Sequence, residues 1–322
     1  MSVAPEKHEY KNFTYKQISE DYTRPTARRG KVTKLNYPTR RYGVKYTYVY
    51  TPYGYDGSDM KTRYDIVYLM HGANSGAETF LWDEGLDSHF KNILDHMIEN
   101  GEIKPLIVVT PGLYPTSDVK NYKGQEAELA DEFTDELVND LMPAVESMYL
   151  TYADTIDAAG FRASRAHRAF GGFSMGAVVA WYTFARHMDL FSAFMPICGD
   201  CWIKGKFGGE HFPDETAEWL AGSVKNGPLT PDDFTIYMAT GTLDMAFPGL
   251  TNQLGGMKKY PDVFRIVENG ELVYDAYPAA AAPATGKAAQ PNLYYFTVEG
   301  GVHDYVYAYE YFRAALAAEY PL

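Results

Sequence analysis

A serine flanked by glycines is the feature of this sequence that most directly suggests chemistry. Residues 171–178 read GGFSMGAV, so Ser174 is the centre of a G-x-S-x-G pattern. A strand-like segment precedes it and a helix-like segment follows, which is the context of a nucleophile elbow that exposes the serine. Side chains at the flanking glycines would collide with the neighbouring strand and helix. The pattern predicts a nucleophilic Ser174; the alternative is a glycine-rich turn whose serine has no chemical role.

A serine nucleophile needs a base, and an elbow of this kind is followed along the chain first by an acid and then by a histidine. The histidines after Ser174 are His187, His211 and His303. His187 falls within the helix after the elbow, and His211 lies in a segment with no strand to position it. His303 follows the last predicted strand, where two glycines allow the chain to reach back. We therefore predict His303 as the base.

Two carboxylates could orient that histidine, because both follow predicted strands. Asp244 lies in ATGTLDMAF and Asp200 lies in CGDCW. We favour Asp244, since its strand should neighbour the strand that leads to His303, and Asp200 remains the alternative.

The oxyanion of a tetrahedral intermediate needs hydrogen-bond donors. One donor is the N–H of the residue after the nucleophile, here Met175, and the other comes from the loop after the third strand. That loop reads HGANSG over residues 71–76, which makes the Ala73 N–H the expected second donor. His71 is interpreted as structural, because it ends a buried strand and precedes Ser174.

The elements that would position these residues alternate between strand and helix. Alternation of this kind predicts a mostly parallel central sheet flanked by helices on both faces, the α/β class. The helix over 128–149 is expected to kink at Pro143. The predicted strands cover residues 44–52, 64–72, 104–112, 168–174, 191–200, 233–241 and 292–301, and the predicted helices cover 85–102, 128–149, 175–187, 214–224 and 305–320.

Three segments do not fit this alternation. Residues 1–29 are polar and tyrosine-rich and are expected to form an extension across the body of the protein. Residues 152–166 are expected to form a surface excursion. Residues 268–291 are rich in alanine and proline and are expected to form a flexible loop or a partial lid. Residues 30–322 are predicted to form a single catalytic domain.

Composition excludes several classes of function. The 322 residues carry a net charge of -13, which argues against binding to nucleic acid or to an anionic membrane surface. No apolar stretch is long enough to span a bilayer, and the first residues, MSVAPEKHEYKNF, contain no apolar core of a secretory signal. With 46% hydrophobic residues, the chain has enough apolar side chains for a large core.

The two cysteines, Cys198 and Cys201, are spaced C-x-x-C. We interpret them as small, partly buried residues near a strand end, with a disulfide as the next option. A redox dithiol lacks a thioredoxin-like setting. A zinc site lacks a second pair of ligands, so no metal is predicted.

Taken together, seven stretches resemble the feruloyl esterases of carbohydrate esterase family 1, which are similar in fold to esterase-D and antigen-85 hydrolases. The resemblance covers residues 40–318 and implies an α/β-hydrolase fold. The stretches are YLMHGANSGAETFLWDEG, IKPLIVVTPG, DEFTDELVNDLMPAVESMY, HRAFGGFSMGA, MPICGDCW, GTLDMAF and EGGVHDY.

This resemblance implies a role for each site residue. Ser174 is the nucleophile, Asp244 the acid and His303 the base, with oxyanion donors at Ala73 and Met175. The activity implied is hydrolysis of feruloyl and related hydroxycinnamoyl esters of plant arabinoxylan through an acyl-enzyme, without metal or cofactor. Secretion, or attachment to a larger xylan-degrading enzyme, is also implied.

A flat hydroxycinnamoyl ring favours aromatic neighbours. We expect Trp202 to contact the substrate, and we regard Phe247 and Trp82 as equally suited to substrate contact or to core packing. Alternatives on the same residues are an acetyl xylan esterase or another small-acyl carboxylesterase, such as a thioesterase for S-formylglutathione or a siderophore esterase. A non-catalytic carbohydrate-binding protein with an esterase-like fold is the alternative from a different class.

Overall fold

The computed structural model describes residues 11–82, 85–116, 122–273 and 290–322. Within them, ten strands join into one sheet in the order β1-β2-β4-β3-β5-β6-β7-β10-β8-β9. The strands are β1 Lys31–Thr39, β2 Gly43–Thr51, β3 Asp65–Met70, β4 Leu106–Pro111, β5 Arg168–Phe173, β6 Ala193–Ile197, β7 Thr235–Gly241, β8 Ile266–Glu268, β9 Glu271–Leu272 and β10 Leu293–Val298.

The central strands of this sheet, from β4 to β8 in spatial order, are parallel. Among the described strands, antiparallel pairs occur only at the edges, between β1 and β2, β2 and β4, and β8 and β9. The carboxyl ends of the parallel strands therefore meet at one edge, which is where ligands bind in sheets of this kind.

Helices cover both faces of the sheet. Those on one face are α3, α4, α6, α8 and α9, and those on the other are α1, α2 and α10. Their bounds are α1 Glu78–Leu81, α2 His89–Glu99, α3 Glu126–Glu136, α4 Met142–Glu146, α5 Ala158–Ala163, α6 Met175–His187, α7 Gly208–His211, α8 Pro213–Lys225, α9 Phe247–Met257 and α10 Tyr305–Glu319. None of these described helices has both the length and the apolar character needed to cross a bilayer.

Alternation along the central strands divides the core in two. In β3, Ile66, Tyr68 and Met70 pack into the core on one face, while Val67 and Leu69 pack into the core on the other. All five side chains are buried. A strand covered on both faces has a nearly continuous apolar sequence, which is why the central strands could be predicted from their apolar runs.

The predicted kinked helix is instead α3 followed by one π-helical turn, Leu137–Leu141, and then α4. The N–H of Met142 bonds to the carbonyl of Leu137, five residues back. Pro143 follows immediately and has no N–H to donate. The wider turn just before it is the form in which this helix accommodates the proline.

The start of the expected loop 268–291 is ordered rather than flexible. Glu268 ends β8 and pairs across a tight turn with Glu271 of β9. The two turn residues, Asn269 and Gly270, both have positive φ, as a type I′ hairpin turn requires. Residues 274–289, which contain the rest of the predicted lid, lie outside the described residues.

The described part of the N-terminal segment, residues 11–30, packs on the face of the sheet that carries α1, α2 and α10. Phe13 is buried against the rings of Tyr237 and Phe296, with centroids 5.1 and 4.5 Å away. The Tyr15 hydroxyl donates a 2.6 Å hydrogen bond to Glu310 of α10. Contacts from this segment therefore tie β7, β10 and α10 together.

Candidate active site

Ser174 lies in a strained turn between β5 and α6. Its backbone φ is 57° and its ψ is -113°, a conformation that residues other than glycine rarely adopt. A Cβ added at Gly172 would lie 2.2 Å from the Gly176 carbonyl oxygen, and one added at Gly176 would lie 2.2 Å from the Met70 carbonyl oxygen. The two glycines therefore permit the close packing of strand and helix that holds the serine in this turn.

His303 and Asp244 approach this serine from two other strand ends. His303 follows β10, and its Nε2 lies 2.8 Å from Ser174 Oγ. Its Nδ1 lies 2.7 Å from Oδ1 of Asp244, which follows β7. The imidazole also packs on the Phe173 ring, with centroids 4.6 Å apart. The three side chains thus form one hydrogen-bonded chain, in the order expected for an activated serine.

Asp244 is held as a carboxylate. Burial alone raises the pKa of this group, but hydrogen bonds from His303 and from the Ala246 N–H outweigh burial and leave its pKa below the ordinary value. The Cys198 thiol lies beside the same carboxylate, and burial together with the Asp244 charge raises the pKa of that thiol well above its usual range. Among the described residues, Oδ2 of Asp244 has no nitrogen or oxygen partner.

Two free N–H groups lie near the serine. The N–H of Met175 is at the first position of α6, and Ala73 lies in the loop after β3. Neither N–H has a hydrogen-bond acceptor in the part of the chain that is described. Both residues line the same cavity as Ser174. The arrangement leaves these two donors available to a ligand oxygen.

His71 anchors the loop that carries Ala73. Its Nδ1 lies 2.7 Å from the Gly72 carbonyl oxygen, and its Nε2 accepts a 3.0 Å hydrogen bond from the Leu113 N–H. Complete burial lowers the pKa of His71 to about 4, so the ring is neutral at pH 7. A neutral ring with Nδ1 protonated can make both bonds. The geometry agrees with the structural role expected for this histidine.

Tyr305 is a functional candidate that the sequence did not reveal. Its hydroxyl accepts a 2.8 Å hydrogen bond from the Gly72 N–H and donates a 3.2 Å hydrogen bond to Ser75. Its ring packs on Phe173, with centroids 4.6 Å apart. Tyr305 thereby links α10, just after His303, to the loop that carries Ala73. Its position two residues after the predicted base was the available signal.

A cavity of about 450 Å³ opens beside the serine, and we call it the catalytic cavity. Its aromatic wall consists of Trp202 and Phe207, which meet edge to face at 5.3 Å, with the Lys206 ammonium 5.7 Å from the Trp202 ring. Its lining also includes Gly72, Ala73, Asn74, Phe173, Met175, Val178, Cys198, Gly199, Met245, Ala246, Gly249, His303, Asp304 and Tyr305.

Asp200, the alternative acid, lies in this cavity away from the histidine. Its Oδ1 accepts a 3.0 Å hydrogen bond from the Trp202 indole N–H, and its Oδ2 accepts a 2.7 Å bond from the Gly209 N–H. Burial raises the pKa of this carboxyl group. Asp200 orients the aromatic wall, and Asp244 is the carboxylate that meets His303.

Trp82 and Phe247, two of the three predicted substrate contacts, do not line the catalytic cavity. The Trp82 ring is exposed and lies against His89, 6.2 Å between centroids, because a positive φ turns the chain at that residue. Phe247 begins α9 and is half-buried, while its neighbours Met245, Ala246 and Gly249 line the cavity instead. Both expectations were based on nearness in sequence, which does not fix the direction of a side chain.

Cys198 and Cys201 are both buried and are not joined in a disulfide. Burial raises the pKa of Cys201 to about 12, so both thiols are protonated at neutral pH. Among the described residues, no three His, Cys, Asp or Glu side chains are grouped so that they could hold a metal ion.

Comparison with known proteins places the chain in a family. Residues 43–321 match the family described as “Putative esterase”. A solved structure titled as the S954A mutant of the feruloyl esterase module from Clostridium thermocellum, complexed with sinapinate, is 31% identical, with a TM-score of 0.77. The match covers 97% of this chain and 95% of that one.

Two curated relatives are longer proteins. Endo-1,4-beta-xylanase Y of Acetivibrio thermocellus is 32% identical over 94% of this chain and 24% of its own length. The endo-1,4-beta-xylanase/feruloyl esterase of Xylanibacter ruminicola is 31% identical over 48% of this chain and 19% of its own length. The chain thus spans about a quarter or less of the curated relatives that it matches.

These matches confirm the resemblance to feruloyl esterases expected from the seven stretches, and the predicted α/β-hydrolase fold with it. The chain therefore belongs to this esterase family, whose chemistry is carboxylic ester hydrolysis.

Proposed function

We propose that this protein is a serine esterase that releases ferulate and related hydroxycinnamates from esters on plant arabinoxylan. The observation that carries the proposal is the hydrogen-bonded chain Ser174–His303–Asp244 at the edge of a cavity with an aromatic wall. The feruloyl esterase module that shares this fold at 31% identity supports the choice of substrate.

Two acyl-transfer steps would follow from this geometry. In the first, His303 Nε2 accepts the Ser174 proton as Oγ attacks the ester carbonyl, and then gives that proton to the departing sugar hydroxyl. The product of this step is a feruloyl ester of Ser174. In the second, water gives its proton to His303 and attacks that ester, and the proton returns to Ser174 as ferulate leaves.

The charges that develop in these steps have partners in the site. The tetrahedral oxyanion would receive hydrogen bonds from the N–H groups of Ala73 and Met175, which have no other described acceptor. The imidazolium that forms on His303 would be stabilised by Asp244, which the lowered pKa keeps ionised at neutral pH. Asp244 also fixes the tautomer, because its Oδ1 accepts from Nδ1 and leaves Nε2 toward the serine.

The catalytic cavity suits a planar aromatic acyl group better than an acetyl group. A volume of about 450 Å³ greatly exceeds the size of an acetyl group. A hydroxycinnamoyl ring can lie against the indole of Trp202, which Asp200 holds in place. We assign Trp202 as the contact for the acyl group.

We further propose that the protein acts outside the cell on plant cell-wall polysaccharide. A polymeric substrate cannot enter a cell, so an enzyme that acts on it must reach the polymer. The names of the two curated relatives, both xylanases, support this setting.

Release assays test the function directly. The intact protein is incubated with methyl ferulate, feruloylated arabinoxylan and acetylated xylan, and free acid is measured for each. Ser174→Ala should lower ferulate release by about 10⁵-fold or more, because no other group can form the acyl-enzyme. Ser223→Ala, a change of the same kind in α8, is the matched control and should keep full activity.

The outcomes of these assays distinguish a feruloyl esterase from an acetyl esterase and from a non-catalytic protein. Ferulate release that depends on Ser174 supports the proposal. Acetyl release without ferulate release would keep the serine mechanism and refute the substrate. No release of either acid by the folded protein would refute the enzyme and favour a non-catalytic carbohydrate-binding role.

A further inference from the structure

A second cavity lies on the other side of the loop that carries Ala73. Its volume is about 490 Å³, and Asn74 lines both it and the catalytic cavity. We call it the tyrosine cleft. Its lining includes Tyr42, Lys45, Tyr46, His71, Glu78 and Tyr114.

The strand order places the two cavities on opposite sides of Ser174. Trp202 and Ala246 in the catalytic cavity follow β6 and β7, which lie to one side of β5. The tyrosine cleft is built from the ends of β3 and β4 and the start of β2, which lie to the other side. Because β2 is antiparallel to β4, its first residues lie at the same sheet edge as the serine.

An ester bound for attack has two arms that diverge from its carbonyl carbon. If the acyl arm occupies the catalytic cavity beside Trp202, the alcohol arm must leave the serine in another direction. The tyrosine cleft lies on the opposite side, and Asn74 of the loop 72–76 lines both cavities. It is therefore placed to receive the alcohol arm.

The chemistry of the cleft suits a neutral, hydroxyl-rich ligand. Three tyrosines, Tyr42, Tyr46 and Tyr114, supply ring surfaces to the lining, and the exposed Glu78 carboxylate supplies a hydrogen-bond acceptor. The Tyr42 hydroxyl donates to Glu132, whereas the Tyr114 hydroxyl accepts from the Asn74 N–H and keeps its own proton to donate. A sugar presents C–H groups that pack on aromatic rings and hydroxyls that hydrogen-bond to polar groups. Side chains with an apolar body and a polar tip can meet both needs at once.

The same lining disfavours an anionic ligand. Among the described residues of the cleft, Lys45 is the lone ammonium or guanidinium group, and it is buried and paired with Glu136 at 2.8 Å. His71 is neutral at pH 7 because of its lowered pKa. With Glu78 also present, the described lining residues carry no unpaired positive charge, while the Lys34 ammonium, outside the lining, lies over the Tyr46 ring at 4.1 Å from its centroid.

The floor of the cleft is held rigidly. Tyr114 accepts a 3.1 Å hydrogen bond from the Asn74 N–H and stacks on His71, with centroids 5.9 Å apart. Asn74 itself has a φ of 58°, which this bond helps to maintain. A preformed surface binds a ligand without first paying the entropy of ordering it.

We propose that the tyrosine cleft is the saccharide subsite, which binds the arabinosyl and xylosyl residues of the alcohol that leaves Ser174. This inference rests on the proposed function. It implies that the sugar contributes to binding separately from the acyl group, so a feruloylated oligosaccharide should be a better substrate than methyl ferulate.

The kinetic test compares these two esters in variants of the cleft. Tyr46→Ala should lower kcat/KM for a feruloylated arabinoxylo-oligosaccharide by about tenfold, which corresponds to ~1.4 kcal/mol of binding. The value for methyl ferulate should change by less than about twofold, because that ester has no sugar. Glu78→Ala should show the same pattern with a smaller loss. Tyr53→Ala, an exposed tyrosine outside the cleft, is the matched control and should leave both esters unchanged.

Calorimetry with Ser174→Ala separates binding from turnover. This parent variant should bind an unesterified arabinoxylo-oligosaccharide, and adding Tyr46→Ala should weaken that binding by about tenfold. Equal losses for both esters in the kinetic test, or no effect of Tyr46→Ala on oligosaccharide binding, would overturn the proposal. If the protein hydrolyses neither ester, the proposed function fails. Calorimetry then still tests the saccharide subsite, because a Ser174→Ala protein that does not bind the oligosaccharide refutes that proposal.

Discussion

At the scale of single residues, the two aspartates that follow β6 and β7 show how position assigns chemistry. The sequence favoured Asp244 as the partner of His303 and kept Asp200 as the alternative. In the structure Asp244 lies 2.7 Å from the imidazole, while Asp200 accepts from the Trp202 indole and the Gly209 N–H. The two carboxylates should therefore affect different kinetic parameters.

Asp244→Asn should lower kcat for ester hydrolysis by about 10⁴-fold, because an amide in place of the carboxylate favours the wrong histidine tautomer. Asp200→Asn should mainly raise KM for methyl ferulate, because an amide has one acceptor oxygen for the two donors, the Trp202 indole and the Gly209 N–H. Steady-state kinetics on both variants measures the difference. A large loss of kcat in Asp200→Asn with little loss in Asp244→Asn would reverse the assignment.

Tyr305→Phe tests the link between α10 and the loop that carries Ala73. Removing the hydroxyl leaves the Gly72 N–H without its partner, which should loosen the position of the oxyanion donor. We expect kcat to fall by about tenfold with KM nearly unchanged, because the donor acts mainly in the transition state. Tyr307→Phe, two residues further along α10, is the control. Equal kinetics for wild type and Tyr305→Phe would show that the hydroxyl does not position the donor.

Ser174, His303 and Asp244, which the structure brings together, could be predicted as a set because each follows a strand whose order along the chain is fixed by the fold. The sequence could not locate Tyr305, whose partners Gly72 and Ser75 are more than 200 residues away. It also could not orient Trp82 and Phe247, because a positive φ at one and a helix start at the other decide where those rings point.

At the scale of elements, the turn between β5 and α6 depends on close packing. Gly176→Ala would place a Cβ 2.2 Å from the Met70 carbonyl oxygen, so backbone must move. We expect the free energy of unfolding to fall by about 3 kcal/mol. Gly255→Ala in α9 meets no atom within 4 Å and should raise it by about 0.5 kcal/mol. Urea unfolding measures both, and similar values for the two variants would contradict this packing.

His71 makes the fold sensitive to mild acid. Its pKa is about 4 in the folded protein and about 6.5 in the unfolded chain, so between these values only the unfolded chain binds the proton. The free energy of unfolding should therefore fall by about 3 kcal/mol because of this group as the pH drops from 6.5 to 4. Above pH 6.5, His71 should cause no change of stability with pH.

Unfolding in urea across that pH range measures the slope. His71→Gln should be less stable than wild type at pH 7 but should lose less stability on acidification. Parallel pH profiles for the two proteins would show that the buried imidazole is not the group responsible.

Element prediction succeeded where apolar runs were continuous and failed where they were short or polar. The buried central strands and the amphipathic helices were predicted to within a few residues. Strand β1, with polar residues on its exposed side, and helix α9, which contains three glycines, were missed. The β8–β9 hairpin has an Asn-Gly turn, which is typical of hairpins. The sequence nevertheless predicts a loop over residues 268–291, because the stretch after this turn is rich in alanine.

At the scale of the whole molecule, the fold arranges a line of binding surfaces along one edge of the sheet. The catalytic cavity, the serine and the tyrosine cleft follow one another across the strand order. Residues 11–30 make hydrogen bonds to Tyr294 of β10 and Glu310 of α10, which lie nearly 300 residues later in the chain. The sequence suggested an extension there, but contacts over such a separation leave no local pattern from which to predict them.

The acyl-enzyme itself can be detected from the intact mass of the protein during turnover of methyl ferulate, after rapid quenching in acid. We expect a population heavier by one feruloyl group, with the added mass on the peptide that contains Ser174 and absent from Ser174→Ala. Ferulate release with no feruloyl adduct at any quench time, or an adduct on another residue, would contradict the acyl-enzyme mechanism proposed for this site.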